Sequence, residues 1–490
     1  MEGGVYVSFH FDLMMEPWIP VVNADGTITY RGIWDTLQYA AQSKGILDAS
    51  PLVEFGLYRF LSVFLMDALR PEDQFELEEL EQAGQFDMEK IHDYVTQCRA
   101  EGVSFDLFDP QRPFLQSPYD KTWDKETKPV TYLDCRVPTG NNHVHFDHLQ
   151  ECRAFSYAEA ARYLPAQSLF ITAAAQGYPS SINGAPPYFA VIKGNNLFET
   201  LFNSLLPIEE IDDFDSIPVF WRCLEPVEPK KKVAHTSWLY GMLFPARRVL
   251  LLPEADGIRE IYYSQGENFC EPGNWTDPHV TYRFGKSGRF PWRPNSEKAV
   301  WRNLSDLVNI EGRHAPQIVE IFRRLHESNL ADVHVCLYGV QTKNASFLDL
   351  AYHDMQIPAT LLEDGKAVLV EQCVSAAEKM AKEISIAMSC RGISTSISQE
   401  TVQRFYQRCE VLLWEFCRYN LADTEADGVT VQNSWNLGLF ELGKEIVEQA
   451  LNQLSLTGKE WMEVYRRQAN YIRYLLSLRK EGDGAHGGAI

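Results

Sequence analysis

Three small groups of histidine and carboxylate residues are the candidates for chemistry in this chain. The densest is His143-Val144-His145-Phe146-Asp147-His148. On a strand, alternate residues face one way, so His143, His145 and Asp147 would share a face, and imidazole with carboxylate suits zinc or a similar ion. The preceding Pro138-Thr139-Gly140-Asn141-Asn142 is turn chemistry, so the cluster reads as a loop, and no second ligand cluster lies nearby. The dipeptides His92-Asp93 and His353-Asp354 suggest a metal-dependent phosphohydrolase, which needs further ligands converging in space. No G-x-x-x-x-G-K-S/T or G-x-S-x-G motif occurs. The residue pattern thus predicts no enzyme, no metal and no cofactor. A metal-dependent hydrolase using residues 143–148 is the alternative.

Nucleic-acid chemistry is better represented. Residues 281–302 hold Arg283, Lys286, Arg289, Arg293, Lys298 and Arg302 against a single acid, Glu297. Tyr282, Phe284, Phe290, Trp292 and Trp301 are interleaved with them. Cations track phosphates, and aromatic rings stack or wedge. A solvated hairpin turning at Lys286-Ser287-Gly288-Arg289, with a packed aromatic underside, is the structural alternative. Arg466, Arg473 and Lys480 recur every seventh residue, and Arg404 and Arg408 lie at i, i+4. Such runs are either backbone contacts or a solvated helix face.

The elements that would position these residues fall into two regions. A chain of 490 residues is too long for one compact core. Up to about 365 the sequence is mixed α and β. Helices are expected near 33–43, 52–69 and 157–170, and strands near 187–193, 217–223, 247–252 and 333–338. The run Phe11-Asp12-Leu13-Met14-Met15-Glu16-Pro17-Trp18-Ile19-Pro20-Val21 reads as a strand that ends or lies on a sheet edge, because its prolines lack N–H donors. After Gly365 the period becomes helical. Val370, Val374, Ala377, Ala381, Ile384 and Met388 make one apolar stripe, and Val402, Phe405, Cys409, Leu412, Phe416 and Tyr419 another. Ser398 is the expected N-cap of the second helix. Further helices over about 436–454 and 459–480 complete a four-helix bundle. The fold class is therefore α+β: a mixed domain over 1–365, a bundle over 366–480 and a disordered tail over 481–490.

Net charge is −22, and residues 366–490 contribute only −2 of it, with 14 Lys+Arg against 16 Asp+Glu. An acidic background disfavours general nucleic-acid binding and leaves contact to local basic stretches. Ten scattered cysteines without a C-x-x-C pair suit a reducing cytoplasm. No apolar run reaches the ~18 residues of a membrane span, and the N-terminus lacks the basic start of a secretory signal.

Several motifs together resemble the large subunit of the type I-E CRISPR surveillance complex Cascade, the CasA family. They are Glu16-Pro17-Trp18-Ile19-Pro20-Val21, Arg112-Pro113-Phe114-Leu115-Gln116, Gly140-Asn141-Asn142 with Phe146-Asp147-His148, Gly194-Asn195-Asn196-Leu197-Phe198-Glu199-Thr200-Leu201, Asp277-Pro278-His279 and Gln341-Thr342-Lys343-Asn344-Ala345-Ser346. The resemblance spans roughly residues 11–480. It implies a non-catalytic, cytoplasmic subunit, present once in a hetero-oligomer with crRNA and other Cascade subunits. Such a subunit reads the protospacer-adjacent motif of double-stranded DNA from the minor groove, promotes R-loop formation and recruits a helicase-nuclease. It further implies a crRNA and subunit-contact loop with Asn142, Phe146 and His148. A motif-reading loop with Gly177, Ser180, Ser181 and Asn183 is implied too, poorer in glycine than the family's. Arg283 and Lys286 fall at the groove and Lys343 and Asn344 at the wedge, while Arg404, Arg408, Arg466, Arg473 and Lys480 would touch DNA backbone.

Overall fold

The computed structural model describes residues 9–136, 153–173, 177–286, 288–295, 298–308, 313–343, 346–363, 365–390, 392–421 and 428–483. The chain divides into two compact units. One comprises 1–297, 312–329 and 334–356, the other 298–311, 330–333 and 357–490.

In the first unit, β1 (Ile19–Asn23) pairs antiparallel with both β2 (Ile28–Arg31) and β3 (Ser43–Ile46). The expected edge placement is therefore corrected: β1 is the central strand. Pairing to β3 starts only at Val21, and the Pro20 carbonyl accepts the Leu47 N–H at 3.2 Å, so no ladder bond needs the missing donor. Upstream, Phe11 and Leu13 exchange backbone hydrogen bonds with Leu107 and Phe105, both at 2.9 Å. The segments that lead into Glu16–Val21 and into Arg112–Gln116 thus lie side by side. Trp18 is fully buried, and its Nε1–H donates to the Leu13 carbonyl at 2.9 Å.

Helix α1 (Pro51–Leu69) is buried on nearly all sides, as its almost unbroken apolar composition requires. It carries Arg59, which has no exposed surface. Helix α2 (Tyr157–Ala166) packs beside it and stops short of the expected residue 170. Strand β4 (Phe189–Lys193) follows, then the hairpin of β5 (Arg247–Glu254) and β6 (Gly257–Gln265), which is edged by Thr127–Pro129. The strand expected near 217–223 is instead a single 3-10 turn, Phe220–Arg222. Trp221 there is drawn into the aromatic core, 5.6 Å from Phe60 and 5.7 Å from Phe114, which a flat extended run would not allow. A short hairpin, β7 (Tyr282–Gly285) with β8 (Gly288–Pro291), and a long one, β9 (Val333–Lys343) with β10 (Ser346–Ile357), complete this unit. Strand β9 also pairs with β4 over a core that includes Phe55, Phe189 and Tyr338.

The second unit is built on α3 (Lys366–Met388), α4 (Thr395–Tyr419), α5 (Gly428–Asn452) and α6 (Gly458–Asp483). The α3 stripe is buried at all six expected positions. Polar tips tie the helices together. Trp435 Nε1–H donates to the Cys373 carbonyl, and the Tyr471 and Tyr474 hydroxyls donate to the Gly443 and Ala376 carbonyls. Ser398 is not the cap: α4 begins one turn earlier, and Ser394 Oγ accepts the Ile397 N–H. Tyr419 is 70% exposed and lies off the stripe, whereas Phe416, Cys417 and Leu421 around it are buried. Helix α6 continues through Asp483, so the start of the expected tail is helical. This unit also takes in the turn Val300–Leu307. Trp301 is buried beside Tyr406, and Arg302 binds Glu378 at 2.8 Å.

At the centre of the first unit His279 is wholly buried, and burial pulls its pKa down to about 3. Its Nδ1–H donates to the Ala190 carbonyl at 2.8 Å. A folded-state pKa below the unfolded value of about 6.5 means that the unfolded chain binds the extra proton. Stability is therefore fully present above about 6.5 and is lost as pH falls toward 3. We predict that this group contributes up to about 2 kcal/mol of destabilisation between pH 7.5 and pH 5. Denaturant titrations of the wild type and His279→Gln at both pH values measure it. An equal pH dependence in the two proteins contradicts the assignment.

Candidate nucleic-acid interface

The loop 177–184 and the β7–β8 hairpin share one buried polar centre. Arg59 donates from Nη2 to Asp277 Oδ1 at 2.7 Å, and its guanidinium lies 5.2 and 5.3 Å from the centroids of the Phe55 and Phe189 rings, which stack on each other at 4.5 Å. A buried guanidinium needs such compensation, since an unpaired charge in the interior is strongly unfavourable. The second Asp277 oxygen accepts from Asn183 Nδ2 at 2.9 Å. Asn183 Oδ1 accepts the Tyr282 hydroxyl at 3.1 Å. One carboxylate thereby fixes α1, the loop and the first residue of β7.

This arrangement turns two of the expected loop side chains inward. Asn183 and Ser181 are buried, and Ser181 Oγ donates to the Gly184 carbonyl at 2.9 Å. Their polar atoms hold the loop's shape. Gly177, exposed at φ +80°, and the half-buried Ser180 are the loop residues that face outward. Arg247 supports the loop from below. It donates to the Pro179 and Thr172 carbonyls, and its guanidinium lies 5.0 Å from the Tyr178 ring. Sequence reading missed this residue, because nothing local to β5 signals a loop nearly seventy positions upstream.

In the hairpin, Arg283 stands opposite Phe290 on β8 and opposite Arg313 on its other side. Lys286 is exposed at the turn, with Phe284 48% and Phe290 45% exposed on the flanking strands. Arg293 is exposed just after β8, with its guanidinium 3.7 Å from the Cβ that Gly184 lacks, so it borders the loop directly. Arg289 belongs to the structural alternative. It donates to Thr276 Oγ1 and to the Gly273 and Trp275 carbonyls while covering the Tyr282 ring at 4.5 Å. Lys298 and Arg302 likewise bind Glu378 within the second unit.

Lys343 is exposed at the end of β9. Asn344 lies outside the described residues, as do Asn142, Phe146, His148 and the whole 143–148 cluster. In the bundle, Arg404 pairs with Glu400 at 2.9 Å and Arg408 with Glu445 at 2.7 Å. Arg466 and Arg473 are exposed on α6 and face no carboxylate among the described residues, and Lys480 follows on the same helix. No helix among the described residues is long and apolar enough to cross a membrane.

Asn183→Ala should cost about 1–3 kcal/mol, because it leaves buried partners of a charged group unsatisfied. Chemical denaturation measures this. A variant of wild-type stability with altered DNA-motif preference would instead make Asn183 a direct reader.

The chain was compared with known proteins. The model of the family described as CRISPR-associated protein Cse1 matches residues 12–446. The CRISPR-associated protein CasA/Cse1 of Thermus thermophilus is 29% identical over 391 residues, covering 76% of this chain and 75% of that protein. Among solved structures, Cse1 of Acidimicrobium ferrooxidans superposes with a TM-score of 0.78 at 22% identity, over 96% of this chain and 99% of that one. A chain of a CRISPR RNA-guided surveillance complex superposes with a TM-score of 0.76 at 20% identity, over 96% and 99%. At these identities the structural matches speak to fold. The family match extends from the paired N-terminal motifs into the third bundle helix, and with it the chain belongs to the CRISPR-associated Cse1 family.

Proposed function

We propose that this chain is the large subunit of an RNA-guided surveillance complex, in which it recognises a short motif in duplex DNA and helps the strands part. The carrying observation is the coupling of loop 177–184 to the 282–291 hairpin through Asp277. On a chain of net charge −22, that coupling presents Gly177, Ser180, Arg283, Lys286 and Arg293 beside two exposed phenylalanines. Protein reads the short motif and base pairing reads the rest. Glycine allows close backbone approach to a groove, while arginine or lysine enters it or holds phosphate. Lys343, at the far end of β9, and its sequence neighbour Asn344 act at the first opened base pair. Asn142, Phe146 and His148 meet crRNA and neighbouring subunits, and Arg466, Arg473 and Lys480 meet DNA backbone. The subunit performs no chemistry of its own, and a helicase-nuclease recruited to it cuts the opened target.

The test uses the assembled complex and a duplex carrying the motif. The Lys286→Ala and Arg293→Ala changes together should weaken binding and flatten the log–log salt dependence by about 1.8, at about 0.9 per lost phosphate contact. An unchanged slope, with normal assembly, would exclude this face from the DNA interface.

A further inference from the structure

The base of the β9–β10 hairpin, remote from its tip, gathers metal-ligating side chains that the candidate interface does not use. Strand alternation sets them: His334 and Cys336 share one face of β9, while Tyr352 and Asp354 share one face of β10. His353, between those two, turns the other way and lies with Nε2 3.2 Å from the Tyr188 hydroxyl. The His353-Asp354 dipeptide is therefore not a chemical unit, and Asp354 works with residues of the neighbouring strand. His334 Nε2 hydrogen-bonds one Asp354 oxygen, and the Tyr352 hydroxyl donates to the other at 3.4 Å. The same hydroxyl lies 3.8 Å from Cys336 Sγ. The imidazole, thiol and carboxylate ligand atoms all lie within 4.8 Å of one another.

Zinc–ligand bonds of about 2.0–2.3 Å place tetrahedral ligand atoms roughly 3.3–3.8 Å apart. Small side-chain rotations close the remaining distance. Cys336 is buried, whereas His334 and Asp354 are exposed, so the group opens to solvent on one side and offers an entry path.

We propose that His334, Cys336 and Asp354 bind a divalent cation of the zinc class, with the fourth coordination position open to solvent. One imidazole, one thiolate and one carboxylate match that class, whereas magnesium and calcium select all-oxygen sets. Coordination forms a metal–sulfur bond and releases one thiol proton to solvent; the neutral His334 ring carries its proton on Nδ1, so that Nε2 and the Asp354 oxygen exchange their hydrogen bond for bonds with the ion. Burial raises the Cys336 thiol to about 11. Of the charged groups around it, Lys193 on β4 favours the thiolate, while Asp354 and the Glu54 carboxylate on α1 oppose it. Lys193 is itself neutralised by Glu54 at 3.0 Å, so it adds little repulsion toward a cation.

The full chain, freed of metal by a chelator, is titrated with cobalt(II) and then with zinc. The proposal expects one equivalent bound, with a thiolate-to-cobalt charge-transfer absorption that zinc abolishes. Affinity should rise about tenfold per pH unit between pH 7 and 8, because one proton is released. Cys336→Ser should remove the absorption. His334→Gln, an exposed change that leaves the core intact, should weaken binding by more than about 100-fold, beyond the loss expected for an outer-shell partner. Zinc should raise the melting temperature of the wild type but not of His334→Gln. Absence of the absorption in the wild type, its persistence in Cys336→Ser, or undiminished affinity in His334→Gln overturns the site.

Discussion

Asp277 must neutralise Arg59. A guanidinium with no exposed surface, set beside two stacked phenylalanine rings, is tolerable only with a carboxylate in contact. Because Asp277 begins the segment that becomes β7, this requirement fixes where the hairpin leaves the core. Because its second oxygen takes Asn183, it also fixes the loop 177–184. Loop and hairpin are thus two outputs of one buried charge. A surface built this way is preorganised, so less ordering cost falls on the moment of DNA contact.

The acidity of the chain gives that surface its meaning. On an acidic molecule, exposed cations that face no carboxylate among the described residues would dominate the encounter with a polyanion. Sorting the basic stretch 281–302 by partner separates two jobs. Arg289, Lys298 and Arg302 are spent on carbonyls and on Glu378. Lys286 and Arg293 stay exposed beside the loop. Composition could not make that distinction, since all six cations look alike in sequence.

Legibility followed the range of the interaction. The α3 stripe and the strand β4 were readable, because helical and extended periods are local. The family motifs were readable too, but the pairing of the segments before the first two, Phe11–Leu13 with Phe105–Leu107, was not, because it joins residues far apart in sequence. Readings failed wherever a distant partner decided. Trp221 left a strand for the aromatic core around Phe60. Pro20 sat in a central strand because Val21, not Pro20, opens the second pairing. Asn183 is buried by partners that local sequence does not show, because Asp277 and Tyr282 lie about a hundred residues downstream. Ser394 outcompeted Ser398 as a cap by a single turn, a margin that periodicity does not resolve.

The central claim is physical contact between this coupled surface and duplex DNA. The most direct measurement places a photo-crosslinking side chain at Ser180 or at Phe290 in the assembled complex, bound to a duplex with the motif at a known position. The account predicts crosslinks from both positions within the motif or at its immediate flank, lost when the motif is moved away. Crosslinks confined to protein subunits or crRNA, or spread along the duplex regardless of motif, would contradict it.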